Sequence, residues 1–166
     1  MLVAIEVISV FLVALAMSLA LAHTLEFPGK LRLDREAYLT VQTIYYPGFT
    51  LAGAGEPLAI LSTLILLWMM RGRGTTFWLV LVSFLGVLLM QAVFWLVTQP
   101  TNRYWLKNQR LTKAGSKFFG VEQREQSKRE STPDWSAFRN RWEYSHIIRS
   151  VLSMISLLTL TVAIVR

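Results

Sequence analysis

The chain has 166 residues, of which 54% are apolar and 16% charged, against roughly 25% charged in an average soluble domain. A soluble fold this apolar would leave too much apolar surface in water, so lipid is expected to cover part of it. There is no cysteine, which excludes disulfides, thiolate metal sites, cysteine-ligated iron–sulfur clusters and a thiol nucleophile.

Four stretches are long enough to cross a bilayer, which takes ~20 helical residues. They are Leu2–Ala22 with Glu6 as its one charge, Thr50–Met70 with Glu56, Phe77–Thr98 with none, and Ile147–Val165 with Arg149. All are apolar on every side, without the alternation of barrel strands, and a helix satisfies its own backbone in lipid. The expected fold is all-α: one domain over residues 1–166, an integral membrane four-helix bundle with an interfacial helix and an extended fourth helix. Ala20-Leu21-Ala22 looks like a signal-peptide cleavage site. No Lys or Arg precedes the run, however, and it exceeds an h-region of roughly 7–15 residues, so it reads as an uncleaved helix.

In chain order, Pro28-Gly29 is expected to end the first helix. Asp34 then caps a short helix through Tyr45, with Tyr38, Val41 and Tyr45 along one side, anchored by its tyrosines in the membrane interface. Tyr46-Pro47-Gly48 ends it. In the second span, Gly53-Ala54-Gly55-Glu56-Pro57 predicts a distorted turn. A helix starting only at Pro57 would reach ~21 Å by Met70, short of the ~30 Å hydrocarbon core. The distortion therefore falls inside the membrane, where irregular backbone survives only against protein or a wet cavity. Segment 103–131 is polar and reads as cytoplasmic, with Lys107–Glu130 its least ordered part. Thr132-Pro133-Asp134 looks like a helix start, with a cap, proline at the first position and an acid in the first turn. Trp135, Phe138 and Trp142 then form an apolar stripe leading into the last span.

The net charge of +7 takes its meaning from its position. The two segments joining spans 1 to 2 and 3 to 4 hold 13 Lys and Arg residues; the opposite side has Arg71, Arg73 and Arg166. The bias places the long segments in the cytoplasm and both termini outside. It explains the basic character through anionic lipid rather than nucleic acid.

Polar groups inside spans default to functional roles. His23, Glu26, Glu56, Gln91, Asn102, His146 and Arg149 all lie toward the cytoplasmic ends of their helices, so they can share one cavity. Only Glu6 lies at the other face. Arg149 is expected to pair with Glu56 or Glu26. Gln91, Thr98 and Asn102 share a face if the third helix continues past Pro100; otherwise Asn102 caps its end. His146, Arg149, Ser150 and Ser153 share a face of the last helix.

Pro100-x-Asn102 at the end of helix 3, followed by a basic segment and then Trp135-(x5)-Arg141-Trp142-(x3)-His146-(x2)-Arg149, resembles the four-helix membrane proteins that include the bacterial and fungal anthrone oxygenases. The resemblance implies a small bundle with a membrane-side pocket and oxidation of polycyclic anthrones by O₂ without metal or flavin. On that reading His146 is the general base, Arg149 stabilises the enolate oxygen and Asn102 holds a substrate oxygen. Trp142, Glu56, His23 and Gln91 contact an apolar, flat substrate. Two alternatives stand beside it. His23, Glu26, Glu56 and His146 are donors suited to iron, and the two histidines to haem b. A non-enzymatic membrane subunit or small transporter would use the same polar cluster structurally or as a solute path.

The charge bias makes a direct prediction. Cysteines introduced at Gly72 and Ser116 are probed with a membrane-impermeant thiol reagent in intact cells. The Gly72 position is expected to label and the Ser116 position to stay protected; the reverse pattern inverts the topology.

Overall fold

In a computed structural model, the structure describes residues 1–106, 113–119 and 134–166, and among these there are helices and no strand. Helices α1 (Leu2–Lys30), α2 (Arg35–Gln42), α3 (Gly48–Ala52), α4 (Gly55–Met69), α5 (Thr75–Val93), α6 (Gln99–Leu106), α7 (Lys113–Phe119) and α8 (Trp135–Val165) occur in order. Four helical stretches are long and apolar enough to cross a membrane: Leu2–Lys30, Gly48–Met69, Thr75–Leu106 and Trp135–Val165. α8 packs on α1 and α5, and α4 also packs on α1 and α5, so each long helix has two long neighbours.

The outside of this arrangement is greasier than much of its inside. Phe11, Leu61, Trp68, Leu89 and Leu158 are exposed, whereas Ser9, Thr63, Ser83, Ser153 and Ser156 are buried. Lipid-facing surfaces call for the first set, and small residues let helices approach closely. Several buried hydroxyls satisfy themselves on their own helix: Ser153 Oγ donates to the Arg149 carbonyl at 2.8 Å, Ser156 Oγ to Leu152 at 2.9 Å and Thr63 Oγ1 to Ala59 at 2.7 Å. An apolar core of Val13, Leu66, Val80, Val87 and Leu160 fills one end. An aromatic cluster of Tyr38, Tyr45, Trp105 and Trp142 fills the other. The α4–α5 turn uses Gly72 and Gly74 at φ +80° and +53°, where a side chain would be strained.

Several boundaries differ from the sequence reading. α1 runs through Pro28 to Lys30. In the last turn proline forfeits one hydrogen bond, and Leu31 N–H still reaches the Phe27 carbonyl at 3.1 Å. The extra turn carries Glu26 and Lys30 on one helix face. Asp34 does cap α2, accepting from Ala37 N–H at 2.9 Å, but regular helix gives way to a 3₁₀ turn at Thr43–Tyr45. Tyr38 and Tyr45 are buried against protein, so they anchor this segment to the aromatic cluster rather than to lipid. The expected distortion in the second span is present. α3 stops at Ala52 and α4 starts at Gly55, joined by tighter bonds from Ala54 N–H to Leu51 and from Glu56 N–H to Gly53. Glu56 is nonetheless helical, since Pro57 lies in a first turn, where its missing N–H costs nothing.

The third span does not close at Pro100. A π-helical turn at Phe94–Thr98 leads into α6, with Gln99 N–H bonded to the Phe94 carbonyl. Proline has no N–H for the Leu96 carbonyl four residues back; Arg141 Nη2 donates to that oxygen instead, at 3.4 Å. Segment 103–131 therefore begins as helix α6 and contains helix α7. The rest of Lys107–Glu130, with Thr132 and Pro133, lies outside the described residues. Asp134 is the cap of α8 rather than its first-turn acid: Oδ1 accepts from Ser136 N–H at 3.0 Å and from Ser136 Oγ at 2.6 Å. As expected, α8 is long and begins well before the apolar run.

Gly86 lets α5 and α8 approach closely. A Cβ there would lie 2.0 Å from Ser156 Oγ and 3.0 Å from the Leu152 carbonyl. Gly86→Ala is expected to lower stability by ~1–3 kcal/mol through overpacking, and Ser156→Gly in the same chain to recover part of it. Thermal unfolding in detergent micelles checks this; an unchanged midpoint for Gly86→Ala would show that the α5–α8 contact is looser.

Candidate functional site

α5, α6 and α8 run antiparallel in a continuous register. Thr98 Oγ1 and Ser145 Oγ are 2.8 Å apart, Trp142 Nε1 donates to Asn102 Oδ1 at 2.8 Å, and Tyr104 stacks on Phe138 at 4.6 Å between ring centroids. This register, with α1, the short helices and the break before Gly55, frames a cavity of about 390 Å³. The size suits a small-molecule site. His23, Glu56, Gln91, Asn102, Trp142, His146 and Arg149, from five helices, all line it. Ser150 and Ser153 are buried on α8 but are not among the lining residues. Tyr45, Phe49, Phe94 and Trp95 make the rest of the wall strongly aromatic.

Arg149 is the charged centre. It is buried, and its Nη2 pairs with Glu56 Oε1 in a very short contact. Of the two carboxylates open to it from sequence, Glu56 is the partner. The second Glu56 oxygen takes a hydrogen bond from Gln91. With its amide oriented to satisfy both groups, Gln91 donates to Glu56 Oε2 at 2.8 Å and accepts from Trp95 Nε1 at 2.9 Å. Arg149 Nη1 lies 3.3 Å from His146 Nδ1. A guanidinium only donates, so Nδ1 accepts, and the neutral ring carries its hydrogen on Nε2. His146 Nε2 is buried without a partner.

His146 packs 4.1 Å from His23 and 4.3 Å from Trp142 between ring centroids. The two imidazoles are in contact. Among the described residues no group of three or more His, Asp or Glu side chains is placed to hold a metal ion. Asn102 sits within α6 rather than capping a helix end, and its oxygen is taken by Trp142.

Beside the cavity lies a second polar cluster that sequence reasoning largely missed. Lys30 is buried, with Nζ 2.9 Å from Glu26 Oε2 and 3.7 Å from Glu143 Oε1. Its ammonium also sits over the rings of Tyr45 and Trp142, at 4.6 and 4.8 Å. Tyr45 donates to Glu26, and Tyr38 donates to Glu143 at 2.8 Å. Burial, and then the adjoining carboxylates, hold both phenols above the ordinary tyrosine range, so they stay neutral donors. From sequence, Lys30 counted only as a topological charge. The i, i+4 pairing of Glu26 with Lys30 was the available signal, but Pro28 between them reads as a helix end.

The fold and this site define an all-helical protein with four membrane-length helices around an aromatic, charge-bearing cavity. The sequence model of the anthrone oxygenase family matches residues 41–159, and the chain belongs to that family. Comparisons with curated proteins and with solved structures return no match. The matched region contains Glu56, Gln91, Asn102, Trp142, His146 and Arg149, while His23 and Glu26 on α1 lie outside it.

Breaking a buried ion pair on one side costs ~3–5 kcal/mol, whereas replacing both partners with apolar groups is often neutral. Arg149→Ala is therefore expected to destabilise strongly. Arg149→Met combined with Glu56→Leu is expected to recover most of the loss in detergent unfolding measurements. A double variant as unstable as the single one would mean that the pair is not the origin of the cost.

Proposed function

We propose that this protein is a membrane-embedded oxygenase that uses O₂ on a flat, apolar aromatic ketone of the anthrone class, without a bound metal, haem or flavin. The observation that carries this reading is Arg149, held by Glu56 and hydrogen-bonded to His146 on the wall of an aromatic cavity. An anthrone becomes reactive toward O₂ when it loses a proton beside its carbonyl. The enolate oxygen needs fixed donors in a poorly solvated site, which a guanidinium supplies. When the substrate oxygen takes over Arg149 Nη1, His146 Nδ1 is released as a free lone pair and accepts the proton. The carbanion then combines with O₂, and the resulting hydroperoxide loses water to give the quinone. Trp142, Tyr45, Phe49 and Trp95 offer ring faces and edges to the substrate. Gln91 and Glu56 keep the guanidinium oriented. His23 backs His146, and Asn102 fixes Trp142. The substrate arrives from the bilayer, and the cavity lies toward the cytoplasmic face.

The test is oxygen uptake with a simple anthrone by detergent-purified protein, alongside an absorption spectrum and metal analysis. Wild-type turnover without a Soret band or stoichiometric metal is expected. His146→Ala should lower it by roughly 10²–10⁴-fold, and Arg149→Lys, which keeps charge but loses the planar fork, by less than Arg149→Ala. Turnover that survives His146→Ala would remove His146 as the base. A haem band would favour a haem protein, and a colourless protein inert toward every anthrone would favour the non-enzymatic subunit or transporter.

A further inference from the structure

The proposed chemistry creates a proton deep in a cavity walled by aromatic rings, and His146 has nowhere of its own to pass it. Its ring is buried, and Nε2 has no partner. The next titratable group is His23, in contact at 4.1 Å between ring centroids. His23 Nδ1 is also buried without a hydrogen-bond partner, and it faces Glu26 Oε2 at 3.8 Å. Glu26 is the exposed member of this chain of groups, since its side chain is 40% exposed while those of His23 and Lys30 are nearly fully buried.

We propose that His146, His23 and Glu26 form a proton path between the cavity and the aqueous face, with Glu26 as its exit; the inference rests on the oxygenase reading above. The steps balance without any redox partner. The substrate C–H bond breaks, its electron pair stays on the substrate as the enolate, and the proton adds to His146 Nδ1. A turn of the touching rings is needed to bring His146 Nε2, unpartnered at rest, within reach of the His23 lone pair; His146 then gives its Nε2 hydrogen to His23, and His23 gives its Nδ1 hydrogen to the Glu26 carboxylate, which releases it to water. The path is reversible, so the proton that completes the hydroperoxide O–H returns the same way.

The surroundings of Glu26 fit a group that exchanges protons with solvent. Lys30 from α1 sits 2.9 Å from Oε2, and Tyr45 from the 3₁₀ turn donates to the same oxygen. From α8, Glu143 reaches Lys30 from the other side, and His146 lies behind His23. Two carboxylates thus share one ammonium, which leaves negative charge to attract the proton. The 3.8 Å gap from His23 exceeds a hydrogen bond, and rotation about the Glu26 side-chain torsions closes it. Glu26 touches neither the substrate cavity nor Arg149; it acts through His23 and is a positioning and relay residue, not a catalytic one.

Proton exchange separates this role from a structural one. Wild-type protein is given a simple anthrone in D₂O without oxygen, and deuterium entering the substrate CH₂ is measured above the enzyme-free background. Oxygen uptake is measured separately in air. In Glu26→Gln the proton is still abstracted and returned internally but no longer trades with solvent. The ratio of exchange to oxygenation is expected to fall by ~10²-fold, the low end for losing a proton-transfer group. Glu26→Asp, which retracts the carboxylate, is expected to fall between the two. A misfolded site would lower both rates together. If Glu26→Gln does not fold, Glu26→Gln with Lys30→Met removes the orphaned ammonium and serves instead. A ratio unchanged from wild type in a folded variant overturns the path alone. A wild type that neither exchanges nor oxygenates overturns the parent reading, and the path with it.

Discussion

A guanidinium sits inside a stack of apolar helices, and the geometry of the site derives from neutralising Arg149 there. An unpaired charge at this depth would cost several kcal/mol. Glu56 supplies the opposite charge, Gln91 donates to its second oxygen while accepting from Trp95, and His146 accepts one of the remaining guanidinium hydrogens. Each contact comes from a different helix or a different turn of one. Three helices that lipid would let slide past one another, α4, α5 and α8, are thereby fixed in depth and rotation at one end. At the other end, close packing at Gly86 and the apolar core hold the same helices together without charge.

Two backbone irregularities make room for this arrangement. The break at Gly53–Ala54 interrupts the second span one turn before Glu56, and the π-helical turn at Phe94–Thr98 interrupts the third between Gln91 and Asn102. Both border the cavity, where freed backbone groups find protein partners, as irregular structure at membrane depth requires. Proline is implicated in each case. Pro57 is harmless because it lies in a first turn, and the carbonyl orphaned by Pro100 is recovered by Arg141 from α8. The extra residue in the π turn rotates α6 relative to α5, so that Thr98 and Asn102 meet Ser145 and Trp142 of α8 while Gln91 reaches Glu56 on α4.

The four membrane-length helices and the seven polar residues at one end were legible in the sequence, because burying charge in lipid is so costly that position alone marks it. Glu56 was legible for the same reason, reinforced by its Gly-Ala-Gly-Glu-Pro setting. The choice between Glu56 and Glu26 for Arg149 was not legible, since both lie at similar depth and only the packing of α4 against α1 and α5 decides. Pro28 reads as a helix end, and Pro100 leaves open whether the third helix continues, for one reason. Proline lowers helix propensity locally, but a single missing hydrogen bond is tolerated where tertiary contacts continue. The reading at Pro28 hid the Lys30 cluster, because it detached Lys30 from the face that carries His23 and Glu26. The tyrosines of the short helix read as interfacial anchors for a similar reason: an amphipathic stripe says that one side is buried, without saying whether protein or lipid buries it.

Stability alone does not account for the polar end of this protein. A buried ion pair gains little over well-packed apolar residues of the same volume, and a simple apolar stack would hold four helices in a membrane equally well. What the pair provides is orientation. Glu56 and Gln91 lock the plane of the guanidinium, and that plane fixes which nitrogen of His146 is an acceptor. The contact between His146 and His23 then sets where a proton can go next. Carboxylate, guanidinium and the two imidazoles are thus ordered from the membrane interior toward the Glu26–Lys30 cluster. An aromatic cavity opens beside the first three, and Glu26 is the exposed group at the last. Four apolar helices would give the same scaffold without that direction, and the direction is what separates a site able to take a proton from carbon from a site that merely buries charge.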